Sequence, residues 1–293
     1  MSRLRAISPA TIAAALAIVT ASIAVVDAQP ADGCFRVFDG TMYANRPDLQ
    51  AFGMEPALVP TAYFWWRPGE SREQPPSQRS VRAWVEDQPV RDAVLAIDLE
   101  WWPVRGTPAQ VRQSVNRYRE LLALTRNAGY TGPIGFYAVP PVGDYWRAIR
   151  AENSTQYREW REENDAVADL AADVDVLFPS LYTFYDDPAR WERYAIANIR
   201  ESRRLAPGKP VYAFIWPQYH DSNSDLGLDW IPEEAWGRQL SVLAQHADGV
   251  VIWGGWNFSR RRPLNWNENA PWWRATREFL AQTRLCPIGT GSA

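Results

Sequence analysis

The sequence predicts an α/β protein, a single (β/α) TIM-like barrel that is distorted and has seven or eight strands. Three observations carry that expectation. Short apolar runs rich in β-branched and aromatic residues alternate with longer helical patterns along the chain. The helical patterns open on Pro and stop at Gly, the usual order of start and stop signals. No Gly-rich phosphate loop follows any strand candidate, so an open nucleotide-binding sheet has no support in the sequence. Repeated strand–helix units over about 250 residues favour a closed ring with right-handed crossovers.

The elements follow in order. Residues 1–28 read as a signal peptide: Arg3 and Arg5 precede an uncharged apolar run from Ile12 to Val26, and Val26-Asp27-Ala28 supplies small residues at the cleavage positions. Residues 29–293 are then the barrel domain. Strand candidates are Thr61–Trp66, Val94–Glu100, Ile134–Ala138, Val174–Phe178, Val211–Ile215 and Val250–Trp253. They are continuous apolar runs, as strands covered on both faces should be. Helices are expected from Thr107-Pro108 to Asn127, from Asp187-Pro188 to Leu205, and from Ile231-Pro232 to just before Gly249. The stretch from Gly143 to Ala172 reads as helical with a solvated, highly charged face, and residues 67–80 as one long surface loop rich in Pro, Ser, Arg and Gln.

Composition narrows the function classes. A net charge of −3 over 293 residues, with no dense basic tract, excludes the electrostatic footprint of a nucleic-acid binder. Two cysteines, Cys34 and Cys286, stand near the two ends of the exported domain and are expected to form a disulfide in an oxidising compartment. With two cysteines and two histidines, a metal site is not expected, and neither is any cofactor. The protein is expected to be secreted or periplasmic, without stable membrane association after signal cleavage. The 16 Trp, 12 Tyr and 10 Phe exceed what a core needs, because each buried indole N–H requires an acceptor. Some of these rings should therefore wall an open surface.

In a barrel, side chains at the C-terminal strand ends face the active site. The run Ala96-Ile97-Asp98-Leu99-Glu100-Trp101-Trp102 is the strongest candidate. Asp98 and Glu100 are two apart on a strand, so both point the same way. Close carboxylates push their pKa values apart, and one can stay protonated while the other is ionised. Glycoside cleavage needs that division of labour. Gly135-Phe136-Tyr137, Pro179-Ser180-Leu181-Tyr182 and Val250-Val251-Ile252-Trp253-Gly254 end three further strands with aromatic residues.

These four segments, in this order, resemble the hyaluronidases of glycoside hydrolase family 56, across about residues 90–260. The likeness implies a barrel that cleaves N-acetylhexosaminide bonds within a glycan by a substrate-assisted retaining mechanism. It casts Glu100 as the acid and base and Asp98 as the group that holds the substrate's acetamido N–H. Tyr137 and Tyr182 would bind around the acetamido group, with Trp253 as the pocket floor and Trp102 and Trp256 as further substrate-binding aromatics. The implied partner is an oligo- or polysaccharide, glycosaminoglycan-like or otherwise N-acetylated. The chain differs from the family in placing Leu99 between the acids, and in reading Trp101-Trp102-Pro103 where the family has Trp-Arg-Pro.

Two other readings stay open. A chitinase-like barrel of family 18 shares a strand-end Asp-x-Glu and a late Trp, but its fuller signature has aspartates where this chain has Ala93 and Ala96. A catalytically inactive, glycan-binding barrel would keep the aromatic cleft without turnover. Arg67 and Arg260–Arg262 follow strand candidates and could add a basic rim. The sequon at Asn257 would crowd the cleft if it carried a glycan; a second sequon is at Asn153.

Overall fold

The protein is described by a computed structural model covering residues 33–289; the expected signal peptide lies outside the described residues. Strands form where apolar runs can be covered on both faces: β1 (Arg36–Thr41), β2 (Glu55–Leu58), β3 (Val94–Ile97), β4 (Ile134–Phe136), β5 (Tyr212–Ile215) and β6 (Gly249–Gly254). All six are parallel, in the order β4-β3-β2-β1-β6-β5. Residues 177–180 fill the gap between β4 and β5 through single parallel bridges, Tyr137 to Phe178, Leu177 to Val211 and Ser180 to Phe214. The ring therefore closes with a seventh member, and its members follow chain order. Pro179 has no N–H to give, which limits that member to isolated bridges in place of a ladder.

Three helices land as the sequence predicts: α2 (Pro108–Asn127), α6 (Pro188–Leu205) and α7 (Glu233–His246). Thr107 and Gln110 form a reciprocal capping box at the start of α2, and the Asp187 side chain caps α6. The charged stretch after Gly143 divides into α3 (Tyr145–Ala148), α4 (Thr155–Asp165) and α5 (Ala168–Asp173). The C-terminal α8 (Pro271–Gln282) packs on α7, where the Trp236 indole N–H donates to Thr276 Oγ1 at 2.9 Å.

Two expectations are corrected. Thr61–Trp66 is not a strand: the run leaves the sheet after one bridge from Thr61 to Asp98 and turns over the rim as a short 3-10 helix at Ala62–Phe64. Its apolar character serves rim packing, with buried Trp65 against Trp84 at 4.4 Å. The loop of residues 67–80 ends earlier, because Ser77 accepts from the Ser80 N–H and caps α1 (Gln78–Asp87). β1 and β2, absent from the six candidates, supply the members that join the first part of the ring to the last.

The disulfide forms between Cys34 and Cys286, 252 residues apart. Beside it Phe35 bridges Leu285, and the Cys286 N–H donates to the Phe35 carbonyl, so β1 and the segment after α8 are tied together. Several buried tryptophans find acceptors, with Trp160 donating to Val142 O and Trp191 to Leu181 O, whereas the buried Trp65 indole N–H has none among the described residues.

Candidate active site

Side chains alternate along a strand, so one set from each member fills the ring and the other faces the helices. Phe38, Val94, Ala96, Val176, Phe178, Tyr212, Phe214 and Val251 form the interior cluster. Gly135 belongs to the same inward set: a Cβ there would lie 2.2 Å from Val176 O and 2.9 Å from the Phe178 ring, so only glycine lets that ring close the interior. Continuing each inward set past the C-terminal strand end gives Asp98 and Glu100 after Ala96, Tyr137 after Gly135, Tyr182 after Phe178, Trp216 after Phe214 and Trp253 after Val251. All of them line one cavity of about 630 Å³ at that end of the barrel.

Leu99 falls on the other set. It is buried among the helix-facing residues, and the Tyr118 hydroxyl of α2 donates to its carbonyl at 2.9 Å. That bond fixes the backbone between the two acids.

Asp98 is mostly shielded and Glu100 is exposed. Among the described residues neither carboxylate accepts a hydrogen bond or pairs with a cation. Burial, and then the charge of Glu100, push the Asp98 carboxyl up to about 7. Below that value Asp98 holds its proton. Tyr137 and Tyr182 are driven above the usual phenol range, chiefly by burial, and so present neutral hydroxyls. The Tyr137 hydroxyl is 2.9 Å from Ser180 Oγ. The aromatic wall is continuous: Tyr137 and Tyr182 lie 5.8 Å apart, Tyr182 and Trp253 5.9 Å, and Trp253 and Trp216 5.2 Å.

Behind Trp253 the backbone takes positive φ at Gly254 and Gly255. A Cβ on Gly255 would fall 2.7 Å from the Tyr43 backbone nitrogen. The glycine pair lets the chain fold back closely enough to bring Trp256 and Phe258 to the cavity as well.

The cavity thus gathers Asp98, Glu100, Tyr137, Tyr182, Trp253 and Trp256. It does not include Trp102. That ring is buried against Trp66 and Tyr118, and its indole N–H donates to Arg72 O at 2.9 Å. β3 ends at Ile97, so by Trp102 the chain has left the sheet and strand alternation no longer sets which way its side chain faces. Neither Arg67 nor Arg260–Arg262 is among the residues lining the cavity. Asn257 lies between two lining residues, Trp256 and Phe258.

Sequence reasoning missed Trp216, His220 and Asp221. The alternation Tyr212, Phe214, Trp216 was the available signal for the first. The other two come from a loop with no regular period: His220 stacks near Phe184 at 4.6 Å, with its Nδ1 2.8 Å from Ser222 Oγ.

No family model matches the sequence, and no curated protein matches it. Among solved structures, bee venom hyaluronidase in complex with a hyaluronic acid tetramer is similar over 85% of this chain and 97% of that one, at 14% identity and a TM-score of 0.58. A second crystal structure of bee venom hyaluronidase matches over 75% and 91%, at 15% identity and a TM-score of 0.54. A modular endo-β-1,4-mannanase from Cellulomonas fimi aligns over 87% and 72%, at 12% identity and a TM-score of 0.48. At these identities the likeness to the two hyaluronidase structures establishes the fold alone, a β/α barrel.

Proposed function

We propose that this chain is an extracytoplasmic glycoside hydrolase that cuts N-acetylhexosaminide bonds within a glycan, with the substrate's own acetamido oxygen as nucleophile. The observation that carries the reading is the pair of unpartnered carboxylates at one strand end, one shielded and one exposed, opening into an aromatic-walled cavity.

In the free enzyme shielded Asp98 holds a proton up to about pH 7. An acetamido N–H donating to Asp98 favours its ionised form, and the proton passes to Glu100. Glu100 gives that proton to the glycosidic oxygen as the acetamido carbonyl oxygen attacks the anomeric carbon and the bond to the leaving group breaks. Ionised Asp98 faces the positive charge that develops on the oxazolinium. Glu100 then takes a proton from water, the water oxygen attacks the same carbon, and the acetamido group is restored with net retention. Neutral Tyr137 and Tyr182 supply hydroxyls that hold the acetamido group, and Trp253 and Trp256 supply stacking faces. Orientation and local charge therefore provide the acceleration, with no nucleophile from the protein.

Incubation with hyaluronan, chondroitin and chitin oligosaccharides, followed by sizing of the products, tests the reading. Shortening of at least one N-acetylated chain is expected. Cleavage confined to cellulose- or xylan-type chains would overturn it.

A further inference from the structure

Outside the cavity, the most unusual arrangement at this end of the barrel is an arginine held between two exposed rings. The Arg72 guanidinium carbon lies 4.7 Å from the centroid of Tyr63 and 4.7 Å from that of Trp101. Tyr63 is 74% exposed and Trp101 52%. Tyr63 lines the cavity, and Trp101 directly follows Glu100, so the stack forms the rim beside the acids.

We propose that this stack is a substrate subsite, and that Arg72 selects glycans carrying an acidic group, a carboxylate or a sulfate ester, on a sugar beyond the cleaved bond. The inference takes its occupant from the glycosidase reading above.

Three observations support it. Two ring faces lie against the guanidinium at 4.7 Å each, contacts that use its π-face and leave its N–H donors for a ligand, and those donors match an oxyanion in a two-pronged contact. Among the described residues no carboxylate pairs with Arg72. Of the two acids in its own loop, Glu73, next in sequence, forms no ion pair with it, and Glu70 is committed elsewhere, accepting from the Arg67 N–H at 2.8 Å and from Ser80 Oγ at 2.9 Å. The loop itself is pinned from below: buried Trp102 donates its indole N–H to Arg72 O at 2.9 Å, and buried Trp66 donates to Gln74 O at 3.0 Å. Two core indoles spend their only donors on holding this otherwise irregular segment in place. Trp102 thus contributes to the rim by positioning Arg72.

The local field agrees in sign. Arg67, Arg79 and Arg82, with Glu86, line a neighbouring surface cavity of about 350 Å³. A polyanion leaving the cleft along this side would meet a positive margin on a protein of net negative charge.

The test measures binding, so it stands apart from the test of hydrolysis. Dissociation constants are determined calorimetrically in the Glu100→Gln background for four ligands: hyaluronan oligosaccharides, the same oligosaccharides with carboxylates reduced to alcohols, sulfated chondroitin oligosaccharides, and their desulfated counterparts. Arg72→Gln should weaken binding of the carboxylate-bearing or the sulfated ligands about fivefold. It should leave the reduced ligand unchanged, and Arg72→Lys should retain part of the preference. The sulfated and desulfated arms identify which acidic group is read. Equal losses for acidic and carboxyl-reduced ligands, no loss for any ligand, or absence of binding by every acidic ligand would each overturn the proposal. Melting temperatures of both variants, compared with the Glu100→Gln parent, separate a local effect from misfolding: a fall of several degrees with uniform loss of binding would mark the stack as structural and also overturn it.

Discussion

At the N-terminal end of the barrel, Glu55, Asp175 and Asp248 each have a partner: Arg36, Arg126 and Arg203 respectively. Asp175 also accepts from the Ile134 N–H at 2.9 Å, and Asp248 from the Val211 N–H at 2.8 Å, so both carboxylates hold the starts of ring members in place. Lys209 donates to the carbonyls of Ala171 and Val174 on the same side. At the C-terminal end, Asp98 and Glu100 have none of this, and Asp98 is left shielded and protonated up to about pH 7. One end of the ring spends its charges on holding strands together; the other keeps two carboxylates free for a ligand. This is the asymmetry expected when stability and function occupy opposite faces of a barrel, and each of the following experiments can break or sharpen it.

The largest effect is expected at the open end. Glu100→Gln should lower turnover by about a thousandfold, within the range for loss of a general acid. Its melting temperature should stay near that of the wild type, because nothing among the described residues is bonded to that carboxylate. A near-wild-type rate would remove Glu100 from the chemistry.

Next comes the closed end. Cys34→Ser with Cys286→Ser opens a loop that spans 252 residues. Urea unfolding should show a loss of about 3–5 kcal/mol. The specific activity of the molecules still folded should not change. Loss of activity at full folding would contradict the separation of the two ends.

Asp248→Ala is smaller. It strips the Val211 N–H and the Arg203 guanidinium of an acceptor, and should cost about 1–3 kcal/mol by urea unfolding with activity retained.

The smallest change in stability, and the most informative in sign, is Asp98→Asn. A carboxyl whose folded value is raised makes the native state bind more protons than the unfolded one between about 4 and 7. Its stabilising contribution is fully present below the unfolded value and is lost as pH rises through about 7. The Asn variant should therefore be more stable than wild type by about 1 kcal/mol at pH 8, after discount for partial solvent access, with the gain vanishing near pH 4. Its turnover should fall at least about a hundredfold. In the wild type, kcat/KM should decline as pH rises past about 7, where Asp98 loses its proton. A stability loss in Asp98→Asn at pH 8 would contradict the unpartnered, shielded state of Asp98.

Much of this asymmetry was legible in the sequence. Period-two alternation and the rule for barrel strand ends were enough to place Asp98, Glu100, Tyr137, Tyr182 and Trp253 in one cavity, because those residues sit in or just after apolar runs; Trp256 reaches it only because the chain folds back at Gly254 and Gly255. The same rule applied to Tyr212 and Phe214 reaches Trp216, which was overlooked. Trp102 misled because the strand pattern does not extend to it: β3 ends at Ile97, and at Trp102 the chain has turned so that the ring packs on Trp66 and Tyr118. The aromatic content of Thr61–Trp66 mimicked a strand, while the residues that do pair, Glu55–Leu58, carry Glu and Pro and look like a loop. The Arg72 stack could not be seen at all. It joins three segments through a loop without periodicity, held by two indole N–H groups whose acceptors are backbone carbonyls.

The central claim is that the substrate supplies its own nucleophile above Asp98 while Glu100 moves the proton. Proton NMR of the reaction, followed in parallel on an N-acetylated oligosaccharide and on the same oligosaccharide with its acetyl groups removed, tests it most directly. The account predicts that the acetylated chain is cut with retention of configuration in the first-formed product, and that the deacetylated chain is not cut. Comparable cleavage of both chains, or an inverted first product, would contradict it.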